Sequence, residues 1–232
     1  MKHKIAHVIQ PAGLGDIIFG MKIAHKLLEK AEKVVWPVIS EFAWLDTELS
    51  RDERISYPAI TSENNNGAAA GKDDLLINLQ SADQTMAPVD SVMYCKYEML
   101  GLDYSDWAKY FDFHYRAKAE DLHDLVVADK GFGDGYIVVN RNFGSPPNMN
   151  TCQHLNIDTD LGVVEMQPIE GFTMFDWYMV LEGARQIHTA ETSLPYLIEV
   201  LNCKGLNMYS KHAPPHYQHV RNLFRKEWVW HL

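Results

Sequence analysis

Apolar positions along the 232-residue chain fall into short runs and helical stripes that alternate. Ile5-Ala-His-Val-Ile9 reads as a strand, and Pro11-Ala-Gly-Leu-Gly-Asp16 follows as a turn. From Ile17 to Lys33, apolar residues recur at Ile18, Met21, Ala24, Leu27 and Leu28, the spacing of an amphipathic helix. Val34–Ile39 and Asp74–Asn78 predict two further strands. Ser91–Trp107 predicts a helix that breaks around Gly101, and Lys118–Val127 predicts another. Glu63–Gly71 has turn formers and no apolar stripe, and so predicts a surface loop.

The pattern restarts at Gly135-Tyr-Ile-Val-Val-Asn140, an apolar strand, followed by a polar loop from Arg141 to Asn150. Leu161–Met166 is a strand, Phe175–Ala184 a helix and Gln186–Thr189 a strand. Ala190–Ser193 is a turn, Leu194–Leu201 a helix with Pro195 in its first turn, and Gly205–Tyr209 the last buried strand. Repeated strand–turn–helix units predict a parallel α/β sheet in each half. The glycine-rich stretch Asp129–Gly135 is the expected link, giving a first domain over 1–130 and a second over 131–232. The tail Trp228-Val-Trp230 is expected to pack back on the first domain, with a second subunit as the alternative.

Composition narrows the class. Apolar residues at 47% and charged residues at 22% suit a globular protein with a sizeable core. A net charge of -10 argues against a globally basic nucleic-acid binder. The stretch from Lys204 to Lys226 departs from that balance. It holds Lys204, Lys211, Arg221, Arg225 and Lys226 with no Asp or Glu, and His212, His216 and His219 besides. A local basic face able to meet DNA is therefore open. Cys95, Cys152 and Cys203 are far apart and odd in number, which points to a reducing compartment. No apolar run reaches the roughly 18 residues of a membrane span, and the N-terminus lacks a leader pattern, so a cytoplasmic protein is expected.

Four places carry candidate chemistry. Gly13 and Gly15 let the backbone turn tightly and approach a ligand before a helix. Asp16 beside them is either that helix's N-cap or a base that takes a proton from an acceptor hydroxyl. In His188-Thr-Ala-Glu-Thr-Ser193, Glu191 suits vicinal hydroxyls and Thr192 and Ser193 suit a diphosphate. The bland alternative is a Thr or Ser cap with Glu191 solvated. Arg141 follows a central strand, where α/β sheets bind ligands. It would neutralise a diphosphate, or else form a surface ion pair. Glu165 and Met166 end a strand that would line a base pocket, with a solvated carboxylate as the alternative. The histidines lack metal-ligand spacing, because Pro214 and Pro215 interrupt the run from His212 to His219; no metal and no cofactor are expected.

Pro11-Ala-Gly-Leu-Gly-Asp-Ile-Ile18 resembles the opening motif of the heptosyltransferase-like glycosyltransferases. Phe175–Ala184 and Gln186-Ile-His-Thr-Ala-Glu-Thr-Ser-Leu-Pro-Tyr-Leu197 resemble that family's helix, strand and Asp-Thr-Gly turn. Glu191 stands where the family has Asp, Ser193 where it has Gly, and Tyr196 where it has His. The resemblance implies a glycosyltransferase B fold, with two Rossmann-like domains facing a cleft. It implies an inverting, metal-independent transfer from a nucleotide diphosphate sugar. Asp16 would be the base, Thr192, Ser193 and Arg141 would hold the diphosphate, and Glu191, Glu165 and Met166 would complete the donor site. The compact length is similar to phage or viral members, for which a hydroxylated DNA base is one acceptor type and a glycan another. A nucleotide-sugar-binding protein without catalysis and a sugar-nucleotide epimerase are the alternatives.

Overall fold

The computed structural model describes residues 2–49, 52–61, 70–81, 92–114, 118–144, 149–153, 155–211 and 220–231. Contacts divide the chain into two units, Met1–His114 and Tyr115–Leu232.

The first unit is built on a parallel sheet, β3-β2-β1-β4. Its strands are β1 (His3–Ile9), β2 (Ala31–Val35), β3 (Ile55–Ser56) and β4 (Leu75–Asn78). Helix α1 (Leu14–Phe19) starts three residues earlier than the periodicity predicts. Gly13 lies at φ 82°, a left-handed conformation that turns the chain directly into helix. The single helix expected over 17–33 is two, α1 and α2 (Met21–Leu27), separated at Gly20. A Cβ at Gly20 would lie 2.7 Å from the Trp36 ring, so the bare backbone there lets the indole pack. β2 takes Ala31–Lys33 away from the expected helix, because these residues align with β1, His3 against Ala31 and Ile5 against Lys33. Helices α3 (Leu45–Glu48) and α4 (Val92–Glu98) also belong to the unit. The Tyr97 hydroxyl donates to the Phe19 carbonyl and ties α4 to α1. Most of the expected 63–71 loop lies outside the described residues.

The second unit holds α5 (Lys118–Val126), which the sequence placed in the first domain, and a sheet ordered β11-β10-β9-β5-β8. The strands are β5 (Tyr136–Asn140), β8 (Gly162–Glu165), β9 (Gln186–Ala190), β10 (Leu206–Tyr209) and β11 (Trp228–His231). The glycine-rich stretch before β5 is a turn inside this unit. Gly131 and Gly135 take φ 63° and 95° there. Within the predicted 141–150 loop, β6 (Asn142–Phe143) and β7 (Asn150–Thr151) pair as a small antiparallel hairpin. The tail is a strand: β11 pairs parallel with β10, Trp230 against Met208. It extends this unit's own sheet.

One face of the second sheet presents Ile137, Val139, Ala190 and Tyr209. Phe143, Cys152, Leu155, Ile157 and Leu161 cover it. On the opposite face lies α6 (Tyr178–Gly183), whose Val180 carbonyl accepts the Tyr136 hydroxyl at 2.8 Å. The predicted 175–184 helix begins as a 3-10 turn, Phe175–Trp177. Helix α7 (Leu194–Ile198) links β9 to β10 and stops short of the expected Leu201.

Candidate functional site

In each sheet the chain leaves a central strand to both sides. The reversal falls between β1 and β4 in the first sheet, and between β5 and β9 in the second. Open α/β sheets bind ligands outside the carboxyl ends of the strands at such points. The predicted residues follow β1 in the first sheet and β5, β8 and β9 in the second.

In the first unit, the segment after β1 is pinned from several sides. The Trp36 indole donates to the Gln10 carbonyl at 2.9 Å, and the Gln10 amide to the Ala12 carbonyl at 2.7 Å. Asp16 lies in the first turn of α1, and no side chain caps that helix, since Gly13 occupies the cap position. The N-cap reading of Asp16 is thus replaced. Its Oδ1 accepts from the ammonium of Lys96. The lysine side chain is 2% exposed and the aspartate side chain 29%. A Cβ at residue 13 would collide with Asp16 Oδ2, so Gly13 is required both by its backbone angle and by the carboxylate folded over it. Gly15 sits inside α1 and makes no turn.

Such an arrangement can hold an ionised carboxylate at the edge of solvent. A buried cation grips one oxygen, while the aspartate side chain as a whole stays 29% exposed. This is the chemistry of a general base. Lys96 was absent from the sequence reading, yet its signal is there: Met93, Lys96 and Tyr97 share one helical stripe, and a lysine on an apolar stripe needs an anionic partner.

In the second unit, Asn140 ends β5 and Thr189 lies beside it on β9. The Asn140 amide nitrogen donates to Thr189 Oγ1 at 3.0 Å and to Thr192 Oγ1 at 3.3 Å. Thr192 Oγ1 also accepts the Leu194 N–H at 3.1 Å. The Ser193 hydroxyl is directed elsewhere, to the Met174 sulfur at 3.3 Å. Glu191 is buried at 6% exposure, which removes the solvated alternative, and its backbone N–H donates to the Tyr209 carbonyl. Neither Asn140 nor Thr189 was singled out from sequence. The clue was a polar residue closing an otherwise apolar strand.

Arg141 and Glu165 come together. Arg141 Nε donates to Glu165 Oε1 at 3.2 Å, and Nη1 donates to the Leu155 carbonyl. The ion-pair alternative therefore describes Arg141's contacts within the chain, and its guanidinium also anchors the segment covering the sheet. The Glu165 side chain is 49% exposed. Met166 is half-buried, and its N–H is spent on the Val139 carbonyl at 2.8 Å. His188 is buried, with Nε2 against Gln186 Oε1 at 3.0 Å and Nδ1 against the Tyr209 hydroxyl at 3.1 Å. Because an amide oxygen only accepts, Nε2 carries the proton and Nδ1 accepts from Tyr209. Burial holds this imidazole below its ordinary pKa, and His231 pushes it the same way.

Of the basic stretch, Lys204, Lys211, Arg221, Arg225 and Lys226 are described, while 212–219, with its three histidines, lies outside the described residues. Glu199 accepts the backbone N–H of both Arg225 and Lys226, which sets a carboxylate against this stretch. Among the described residues no helix is long and apolar enough to cross a membrane.

No protein-family profile matches the chain, and no curated protein sequence does. Solved structures do. The glycosyl transferase family 9 protein from Veillonella parvula DSM 2008 matches 99% of this chain and 86% of its own, with TM-score 0.57 and 12% identity. The E. coli heptosyltransferase WaaC with ADP-2-deoxy-2-fluoro heptose matches 98% of this chain and 92% of its own, with TM-score 0.47 and 12% identity. The first likeness establishes the fold class, a mixed α/β chain with parallel sheets of the glycosyltransferase B type.

Proposed function

We propose that this chain is an inverting, metal-independent glycosyltransferase that moves a sugar from a nucleotide diphosphate donor to an acceptor hydroxyl. The observation that carries the reading is Asp16, a partly exposed carboxylate held by a buried lysine at the switch point of the first sheet. Asp16 Oδ2 takes the acceptor proton as the hydroxyl attacks the anomeric carbon and the bond to the diphosphate breaks. Lys96 keeps the carboxylate oriented.

The second unit takes the donor. Thr192 contacts the diphosphate, with Ser193 beside it, and Arg141 supplies positive charge as the leaving group departs. Glu191 meets hydroxyls of the donor, while Glu165 and the Met166 carbonyl border the base. The likeness in fold to a family 9 glycosyl transferase supports this division. The acceptor is a glycan hydroxyl or, for a phage protein, a hydroxylated base in DNA. Steep loss of acceptor binding with added salt marks the DNA case.

The test is a thermal-shift screen against nucleoside diphosphates and their sugars, with and without EDTA, followed by turnover with the donor so found. A ligand at a hundred times its Kd adds about 2.7 kcal/mol of stability. The reading expects a shift with one base, insensitive to EDTA, and release of that diphosphate by wild type but not by Asp16→Asn. A shift that EDTA abolishes, or undiminished turnover by Asp16→Asn, overturns it.

A further inference from the structure

Four hydrogen bonds at the carboxyl ends of β5 and β9 have directions that are fixed in sequence, one by the next. The Thr189 hydroxyl donates to the Ala190 carbonyl at 2.9 Å. Its one hydrogen is spent, so towards Asn140 it can only accept. The group of Asn140 facing it is therefore the NH2, which settles which way round the amide lies. That NH2 has a second hydrogen, and it goes to Thr192 Oγ1. The other lone pair of Thr192 Oγ1 takes the Leu194 N–H. A hydroxyl accepts twice and donates once. Both acceptor positions of Thr192 are filled, and among the described residues its hydrogen is directed to no partner.

Burial makes the wiring firm. Thr189 is 0% exposed and Asn140 7%, so water does not compete for their groups. Thr192 is half-buried and reaches the surface of the switch point. We infer that Asn140 is a positioning residue that makes Thr192 an obligate hydrogen-bond donor, and so selects an anionic oxygen, that of a diphosphate, at this point. A ligand group that itself donates, such as an amine or a hydroxyl hydrogen, finds no lone pair here. The inference rests on the reading of Thr192 as a diphosphate contact and adds the residue that sets its polarity.

The experiment compares binding of ADP, UDP, GDP and CDP with binding of the corresponding nucleosides, by calorimetry and ligand-observed NMR. The proteins are wild type, Thr192→Ser, Thr192→Val, Asn140→Ala and the double variant Asn140→Ala/Thr192→Val. For the nucleotide that wild type binds, Thr192→Ser keeps the diphosphate affinity, because the hydroxyl remains. Thr192→Val weakens it about tenfold or more, the scale of a hydrogen bond to a charged group. Asn140→Ala weakens it less than Thr192→Val does, because the hydroxyl remains but is free to turn. Adding Asn140→Ala to Thr192→Val changes the diphosphate affinity no further, since the two act through one hydroxyl. Nucleoside affinity stays level throughout. A merely structural Asn140 would lower the melting temperature and leave the diphosphate-to-nucleoside ratio unmoved, which overturns the inference alone. Undiminished diphosphate binding by Thr192→Val overturns it together with the role of Thr192. Failure of wild type to bind any of the four overturns the donor reading and the inference with it.

Discussion

Lys96 and Asp16 form an ion pair of unequal partners, with the lysine side chain sealed inside at 2% exposure and the aspartate reaching solvent at 29%. Removing the acid strands a buried ammonium, whereas removing the lysine leaves a carboxylate that water can solvate. Asp16→Ala should therefore cost about 3 kcal/mol or more of stability and Lys96→Met clearly less, read from urea midpoints. Equal losses would mean that the pair is not oriented as described.

Asp16→Asn keeps an oxygen to accept from Lys96, so it disturbs folding less than Asp16→Ala while removing the base. Turnover should fall by about 10²–10⁴-fold, the range for a lost general base, while donor affinity stays within about twofold. Steady-state rates and calorimetric donor binding check both halves.

Gly13→Ala meets two obstacles at once. Its φ of 82° costs an L-residue about 1–2 kcal/mol, and its methyl group collides with Asp16 Oδ2. The variant should fold with a lowered midpoint and should lose turnover along with the displaced carboxylate.

Stability should fall as the solution is acidified from about pH 7.5 to 5.5. Burial lowers the pKa of both His188 and His25. In the unfolded chain these groups take up protons near pH 6.5, before the folded chain does. Below that value the unfolded state binds more protons and gains on the folded one. Protonation would also cost His188 the lone pair that receives the Tyr209 hydroxyl. Replacing His188 with Gln should flatten the slope of melting temperature against pH in this window.

The three thiols should be slow towards Ellman's reagent at pH 8 in the native protein and all titrate after denaturation. Cys95 and Cys152 are buried. Burial pushes the Cys203 thiol up to about 12, the Glu182 charge adding to the effect and Lys226 opposing it, so the reactive thiolate is scarce.

Strands β1, β5 and β10 were legible because each is a largely apolar run bounded by turn formers, as suits strands buried in a parallel sheet. β2 was displaced because Ala31-Glu-Lys continues a helical stripe while its register against β1 is a long-range choice. β11 looked like a loose tail since Trp228-Val-Trp is short and Val229 is 57% exposed at the sheet edge. Among the site residues, Asp16 was visible through the glycines around it. Lys96 and Asn140 were not singled out, because their partners lie 80 and 49–52 residues away in sequence.

The order of the strands has a consequence for synthesis on the ribosome. In the first sheet β1 is made first, β2 and β4 join it, and β3 joins β2. In the second, β8 and β9 join β5, then β10 joins β9 and β11 joins β10. Every strand after the first of each sheet thus emerges to find its neighbour already made. Among the described strands no edge waits for a partner still to be translated, and both sheets can grow by accretion as the chain lengthens.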